Sequence, residues 1–208
     1  MAGREWPPDA RTASAWAGAL APVVAFSGIV AAIAVSPSFS LTRDPLSNLG
    51  AVADPAATGL TRTLFNGGLI VAGLLGVVFC YALWAARENL IETAGVVVFG
   101  ATMAAMAGVG VFPQGTELHF WVAVRFYLLL SVSLWVYGAG NYQAGHERRG
   151  VLTLALGVLN LLTWVAWATT GSLTRPGLAI PETVGALVLA VWALWTARWH
   201  IVGERAPV

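Results

Sequence analysis

Six apolar stretches, each about as long as the ~20 residues a helix needs to cross a bilayer, leave this chain little choice of fold. They run near Trp16–Pro37, Leu64–Ala86, Ile91–Phe112, Leu118–Gly140, Val151–Thr170 and Pro181–Ile201, with short polar or Gly/Pro-marked connections between them. The bilayer core holds no water, so backbone N–H and C=O groups must find partners within the segment, as they do in a helix. A membrane barrel would need strands of alternating polarity, and the sequence has none. The expected fold is therefore all-α: an integral membrane bundle of six transmembrane helices, one domain over residues 1–208, multi-pass in the cell membrane. Composition agrees, since 10% of residues are charged and 58% are hydrophobic, whereas soluble domains carry roughly 25% charged residues. The net charge of +1 gives no reason to expect a nucleic-acid partner.

Arginines set the expected orientation. With the N-terminus inside, the cytoplasmic segments hold Arg4, Arg11, Arg87, Arg148, Arg149, Arg198 and Arg205, against Arg43, Arg62 and Arg175 outside. This positive-inside bias places both termini in the cytoplasm. The first apolar run follows Arg4 and Arg11, as a signal peptide would. It exceeds the usual ~7–15-residue signal core, so it reads as a retained first span. Trp84, Trp121, Trp195 and Trp199 fall near span ends, where interfacial aromatics belong. Cys80, the single cysteine, reads as a small buried hydrophobe.

The longest connection, residues 38–63, falls on the outer side and is expected to be ordered. Asp44-Pro45 precedes Gly50, and Asp54-Pro55 precedes Gly59. An Asp N-cap, a Pro at the first helical position and a terminal Gly describe two short helices. In the third span Gly100, Ala104 and Gly108 recur every four residues, a ridge of small residues that would let a neighbour approach closely. Gly68, Gly73 and Gly76 slim the second span similarly.

Topology gathers polar residues at the outer face: Arg43, Asp44, Ser47 and Asn48 from the long loop, Asn66 at the start of the second span, Glu117 and His119 at the entry to the fourth, and Arg175 and Glu182 around the last loop. Arg125 lies within the fourth span, roughly 9 Å beyond His119 along the helix. A charge there costs at least ~2.5–3.5 kcal/mol unless it snorkels, meets water or finds a partner. Three readings stand for it: snorkelling to headgroups, an ion pair with Asp44 or Glu182, or a site for a ligand anion.

His119 with Glu117, Asp44 or Glu182 is the candidate acid–base set, and Ser47 the candidate nucleophile. Ser47 lacks a Gly-x-Ser-x-Gly elbow. A solvated helix start would account for Glu117 and His119 equally well. Metal-ligand spacing is absent, since no HExxH motif occurs and His146 and His200 map to the opposite face; no metal or cofactor is expected. Asn160 and Thr163 read as polar glue between helices.

The motifs Asp44-Pro45-Leu46-Ser47-Asn48-Leu49-Gly50, Phe65-Asn66-Gly67-Gly68, Gly110-Val111-Phe112-Pro113 with Leu118-His119, and Ile180-Pro181-Glu182 resemble the DUF998 family of bacterial and archaeal membrane proteins. The chain is similar, more distantly, to the eukaryotic Frag1/DRAM/Sfk1 group of six-span proteins, some linked to lipid remodelling or lipid asymmetry. The resemblance implies a six-helix architecture over nearly the whole chain and no established catalytic residues. It picks out Asp44, Ser47, Asn48, Asn66, His119 and Glu182. A lipid-linked role follows by analogy only.

Three functions are compatible with these residues. The first is a non-enzymatic membrane protein that binds a lipid or a protein partner through its outer cluster, with Arg125, Asn48, Asn66, Glu182 and Arg175 as ligand-binding candidates. The second is a membrane-embedded lipid hydrolase or transferase built on His119. The third, a small transporter, wants broken helices and a polar midplane, which the sequence does not supply. The absence of a catalytic motif favours binding.

Overall fold

Capping side chains decide where the first three helices begin. Asp9 accepts the Thr12 amide at 2.7 Å and opens α1, Ala10–Val35. That hydrogen bond also holds the exposed Asp9 carboxyl below its usual range. Thr58 and Thr61 form a reciprocal capping box at the start of α2, Gly59–Ala86. Asn89 accepts the Glu92 amide at 2.8 Å at the start of α3, Leu90–Val111. Three further helices follow: α4, His119–Gln143; α5, Glu147–Thr169; and α6, Ala179–Val202. The computed structural model describes residues 9–170 and 177–202. All six helices are long and apolar enough to cross a membrane, and no strand occurs among the described residues.

The helices match the six apolar stretches, with one systematic difference. α1 and α2 begin at Ala10 and Gly59, earlier than hydropathy places them at Trp16 and Leu64. Hydropathy marks the part of a helix that suits lipid, whereas the caps at Asp9 and Thr58 mark where hydrogen bonding starts.

Consecutive helices pack against one another, and α6 returns to α1, so the bundle closes as a ring. Arg11 near the start of α1 meets His200 near the end of α6, Nη2 to Nδ1 at 3.2 Å. Those two helix ends therefore share one face, called here the terminal face; the opposite one is the loop face. Toward the terminal face the interior is aromatic. Trp192 is buried against Phe99 at 4.9 Å, Tyr137 at 5.6 Å and Phe79 at 6.4 Å between ring centroids.

The closest helix contacts do not use the Gly100–Ala104–Gly108 ridge. Ala104 is exposed, and a Cβ at Gly100 would meet nothing nearer than Cys80 Sγ at 3.5 Å. α2 and α3 instead meet at Gly73, where a Cβ would come within 2.7 Å of the Ala107 amide and the Met103 carbonyl. α1 and α2 meet where Gly28 faces Gly68. Spacing every four residues reports a shared helix face, but it does not say whether that face turns to a neighbour or to lipid.

The long loop is ordered around one short element. Leu46–Gly50 forms a single 3-10 helix, with Pro45 rather than Asp44 at its N-cap. The Asp44 carboxylate folds back to accept the Ser40 amide at 2.7 Å. The second expected helix is a turn: Asp54 accepts the Ala56 amide at 2.8 Å, and Gly59 begins α2 instead of ending a helix. With Thr58 in place as an N-cap, the chain after Pro55 leads directly into α2.

Candidate functional site

The 3-10 helix Leu46–Gly50 is held over the bundle by three separate parts of the chain. From α6, the Glu182 carboxylate accepts the Leu46 amide at 2.6 Å, placing an acceptor on a free amide at the start of the short helix. From α2, the Asn66 side chain donates to the Gly50 carbonyl at 3.0 Å. From the α3–α4 turn, Gln114 engages it twice, its Nε2 donating to Asn48 Oδ1 at 2.8 Å and its Oε1 accepting the Ser47 hydroxyl, and its carbonyl accepts the amide of Val52 just beyond at 2.9 Å. Leu46 and Leu49 are buried beneath these contacts. Ala179 at the start of α6 donates to the Asp44 carbonyl at 3.0 Å.

Beneath this cap runs a cavity. Ser47, His119, Tyr127 and Glu182 line its polar end, while Phe79 and Phe99 lie at its apolar end. Its walls explain why the space exists: α1 contributes Gly18, Ala21, Pro22 and Ala25, and α6 contributes Ala186, Ala190 and Ala193. Side chains this small cannot reach the axis of a six-helix ring. The eleven residue steps from Glu182 to Ala193 correspond to roughly 16 Å along the helix. The space open to the centres of water-sized spheres is about 70 Å³. Averaged over that length, and adding the ~1.4 Å radius of a water sphere on each side, the bore is roughly 5 Å wide. A uniform bore of that volume and length would be as wide as one hydrocarbon chain.

At the polar end, His119 is buried and its Nδ1 lies 2.8 Å from the Phe112 carbonyl. A carbonyl only accepts, so Nδ1 carries the proton and a neutral ring leaves Nε2 as an acceptor. Nε2 makes no hydrogen bond among the described residues, and neither does Oε1 of Glu182. Tyr127 donates to the backbone carbonyl of Glu182 at 3.3 Å. The site thus offers two unspent polar atoms above an apolar bore.

The residues singled out from the sequence divide into three groups. Ser47, His119 and Glu182 line the cavity, while Asn48 and Asn66 hold the cap in place. Asp44 shapes the loop through Ser40, and Glu117 is exposed in the turn before α4, so neither lines the cavity with His119. Arg125 is exposed, its guanidinium 5.9 Å from the Trp121 ring centroid, with no carboxylate partner among the described residues. It is exposed on the outside of the bundle, so the ion pair with Asp44 or Glu182 is absent. Arg175 lies outside the described residues. Asn160 reaches α4, donating to the Tyr127 carbonyl at 3.0 Å and Ser131 Oγ at 2.8 Å, while Thr163 bonds back to Leu159 within its own helix.

Two important side chains escape a reading of the sequence. Gln114 sits in Phe-Pro-Gln-Gly, where an amide in a turn carries no catalytic signature. Glu92 is buried toward the terminal face, accepting from the Asn141 side chain at 2.8 Å and the Glu88 amide at 2.6 Å. Its signal was the Asn-x-x-Glu spacing from Asn89, which marks a helix start. Because both oxygens are paired, Glu92 acts as a clamp between α3 and α4.

Comparison with known proteins adds one assignment. No curated protein and no solved structure gave a match. The family described as "Protein of unknown function (DUF998)" matches residues 19–199, from α1 through most of α6. A multi-pass membrane protein of six apolar helices, matched across nearly its whole length, the chain belongs to the DUF998 family.

Proposed function

We propose that this protein binds a single-tailed amphiphile, or one acyl chain of a membrane lipid, in the central cavity. The polar end of the ligand would meet His119 Nε2 and Glu182 Oε1, and its tail would run down the bore toward Phe79 and Phe99. The observation that carries this reading is an apolar cavity lined at one end by His119 and Glu182, each with a polar atom that makes no hydrogen bond among the described residues. Burying each methylene of a tail in such a space is worth about 0.8 kcal/mol. The cap, Leu46–Gly50, would control entry from the loop face. In the cell membrane, with the termini cytoplasmic, that face would be the outer one.

A chain-length series tests the proposal. Affinity for amphiphiles of one headgroup should rise about fourfold per added methylene, then level off once the tail reaches the aromatic end of the bore. The Ala190→Phe variant, which fills the bore, should bind only short tails. An increase with chain length that never levels and ignores Ala190→Phe would mean simple partitioning into micelles and would overturn the proposal.

Hydrolysis or transfer is the second reading, because His119 and Ser47 line the same cavity. Binding is preferred because the Ser47 hydroxyl donates to Gln114 instead of to His119, so no nucleophile–base hydrogen bond is made. Turnover of a lipid by the purified protein, abolished in His119→Ala, would reverse that preference.

A further inference from the structure

A second lipid-sized feature lies outside the bundle at the terminal face. α5 buries only Gly150, Thr153, Gly157 and Asn160. It approaches α6 closely where a Cβ on Gly185 would come 2.8 Å from Asn160 Oδ1. Between Leu159 and Val191 and the terminal face lies a groove of about 1180 Å³. Leu152, Leu156 and Leu159 form one apolar wall, Trp195 and Trp199 stand on the other, and Arg148 and Arg149 lie at the terminal end. Arg148 to Leu159 is eleven residue steps, roughly 16 Å, close to the ~15 Å of one leaflet's hydrocarbon.

The charges indicate what the groove accepts. The Arg149 guanidinium stacks on Trp199 at 3.8 Å from the ring centroid, and Trp199 packs on Trp195 at 4.5 Å. Neither Arg148 nor Arg149 has a carboxylate partner among the described residues; the His146 beside them is already paired with Glu88 at 2.7 Å. Glu147, which also lines the groove, is exposed and makes no ion pair with either. Two guanidiniums with no carboxylate partner among the described residues, one of them fixed by stacking, sit at the terminal end of an apolar groove. Such forks match the geometry of a phosphate.

We propose that the α5–α6 groove binds one anionic phospholipid from the leaflet at the terminal face. Its phosphate would sit between Arg148 and Arg149, and its acyl chains along Leu152, Leu156 and Leu159. The site is separate from the central cavity, which α5 does not line.

The test is native mass spectrometry of the full chain in neutral detergent, titrated with phosphatidylglycerol or with phosphatidylcholine of the same chains. Phosphatidylglycerol should bind more tightly. Replacing one arginine by glutamine should weaken it about fivefold, and Arg148→Gln with Arg149→Gln about thirtyfold, down to the level of phosphatidylcholine. A charge-matched control, Arg62→Gln with Arg125→Gln, should retain the preference, and so should Ala190→Phe. Equal binding of the two lipids by the wild type would overturn the proposal. So would a double groove variant that melts like the wild type yet keeps the preference.

Discussion

The carboxylate of Glu182 accepts the backbone amide of Leu46 at 2.6 Å, across 136 positions of sequence. This contact joins the start of α6 to the loop that covers the cavity, and it occupies one of the two Glu182 oxygens. Glu182→Ala would leave the buried Leu46 amide without its acceptor, at a cost of about 1–3 kcal/mol. Glu182→Gln keeps an amide oxygen there and should lose much less. Melting temperatures of the two variants in detergent, with the alanine variant clearly lower, check this.

Gln114 holds the same loop from the α3–α4 turn. Gln114→Ala should free Ser47 and Asn48 while leaving all six helices formed. Hydrogen exchange of residues 46–52 should then accelerate about tenfold, the equivalent of ~1.4 kcal/mol of local stability. Unchanged exchange would mean that Asn66 and Glu182 suffice to seat the cap.

Gly73 and Gly100 should differ sharply. An alanine at Gly73 brings its Cβ within 2.7 Å of α3 backbone, whereas one at Gly100 meets only Cys80 Sγ at 3.5 Å. Gly73→Ala should therefore destabilise by about 1–3 kcal/mol, and Gly100→Ala should change stability by less than about 0.5 kcal/mol. Thermal unfolding of the two variants side by side decides whether the close approach is the one described.

Arg125→Gln should have little effect. An exposed guanidinium over an aromatic ring is worth about 0.5–1 kcal/mol, against the 3–5 kcal/mol expected when one member of a buried ion pair is removed. A fall in stability within the smaller range, with chain-length-dependent binding intact, fits its position on the outside of α4.

What could be read from the sequence follows from what each signal measures. Hydropathy reports transfer into lipid, so all six spans and their order were visible. That Ser47, His119 and Glu182 share one face of the bundle followed from counting spans. Direction around a helix axis was harder to read. Arg125 interrupts an apolar run whichever way it points, and only packing shows that it faces away from the axis. The Gly100 ridge misled for the same reason. Asp54-Pro55-Ala56 has the letters of a helix start, yet Thr58 caps α2 so soon afterwards that only a turn fits between them. The central cavity was the least visible feature, because it is made by the absence of bulk at Gly18, Ala21, Ala186 and Ala190, and alanine and glycine are ordinary in any membrane helix.

The most direct measurement is mass spectrometry of the amphiphile that copurifies with the wild type and with Ala190→Phe, both confirmed folded by their melting. The account predicts one tightly retained amphiphile per wild-type chain, its tail about the length of the bore, and its loss when the bore is filled. The same bulk membrane lipids in both proteins, with nothing retained by the wild type alone, would contradict it and leave the cavity as empty space between small side chains.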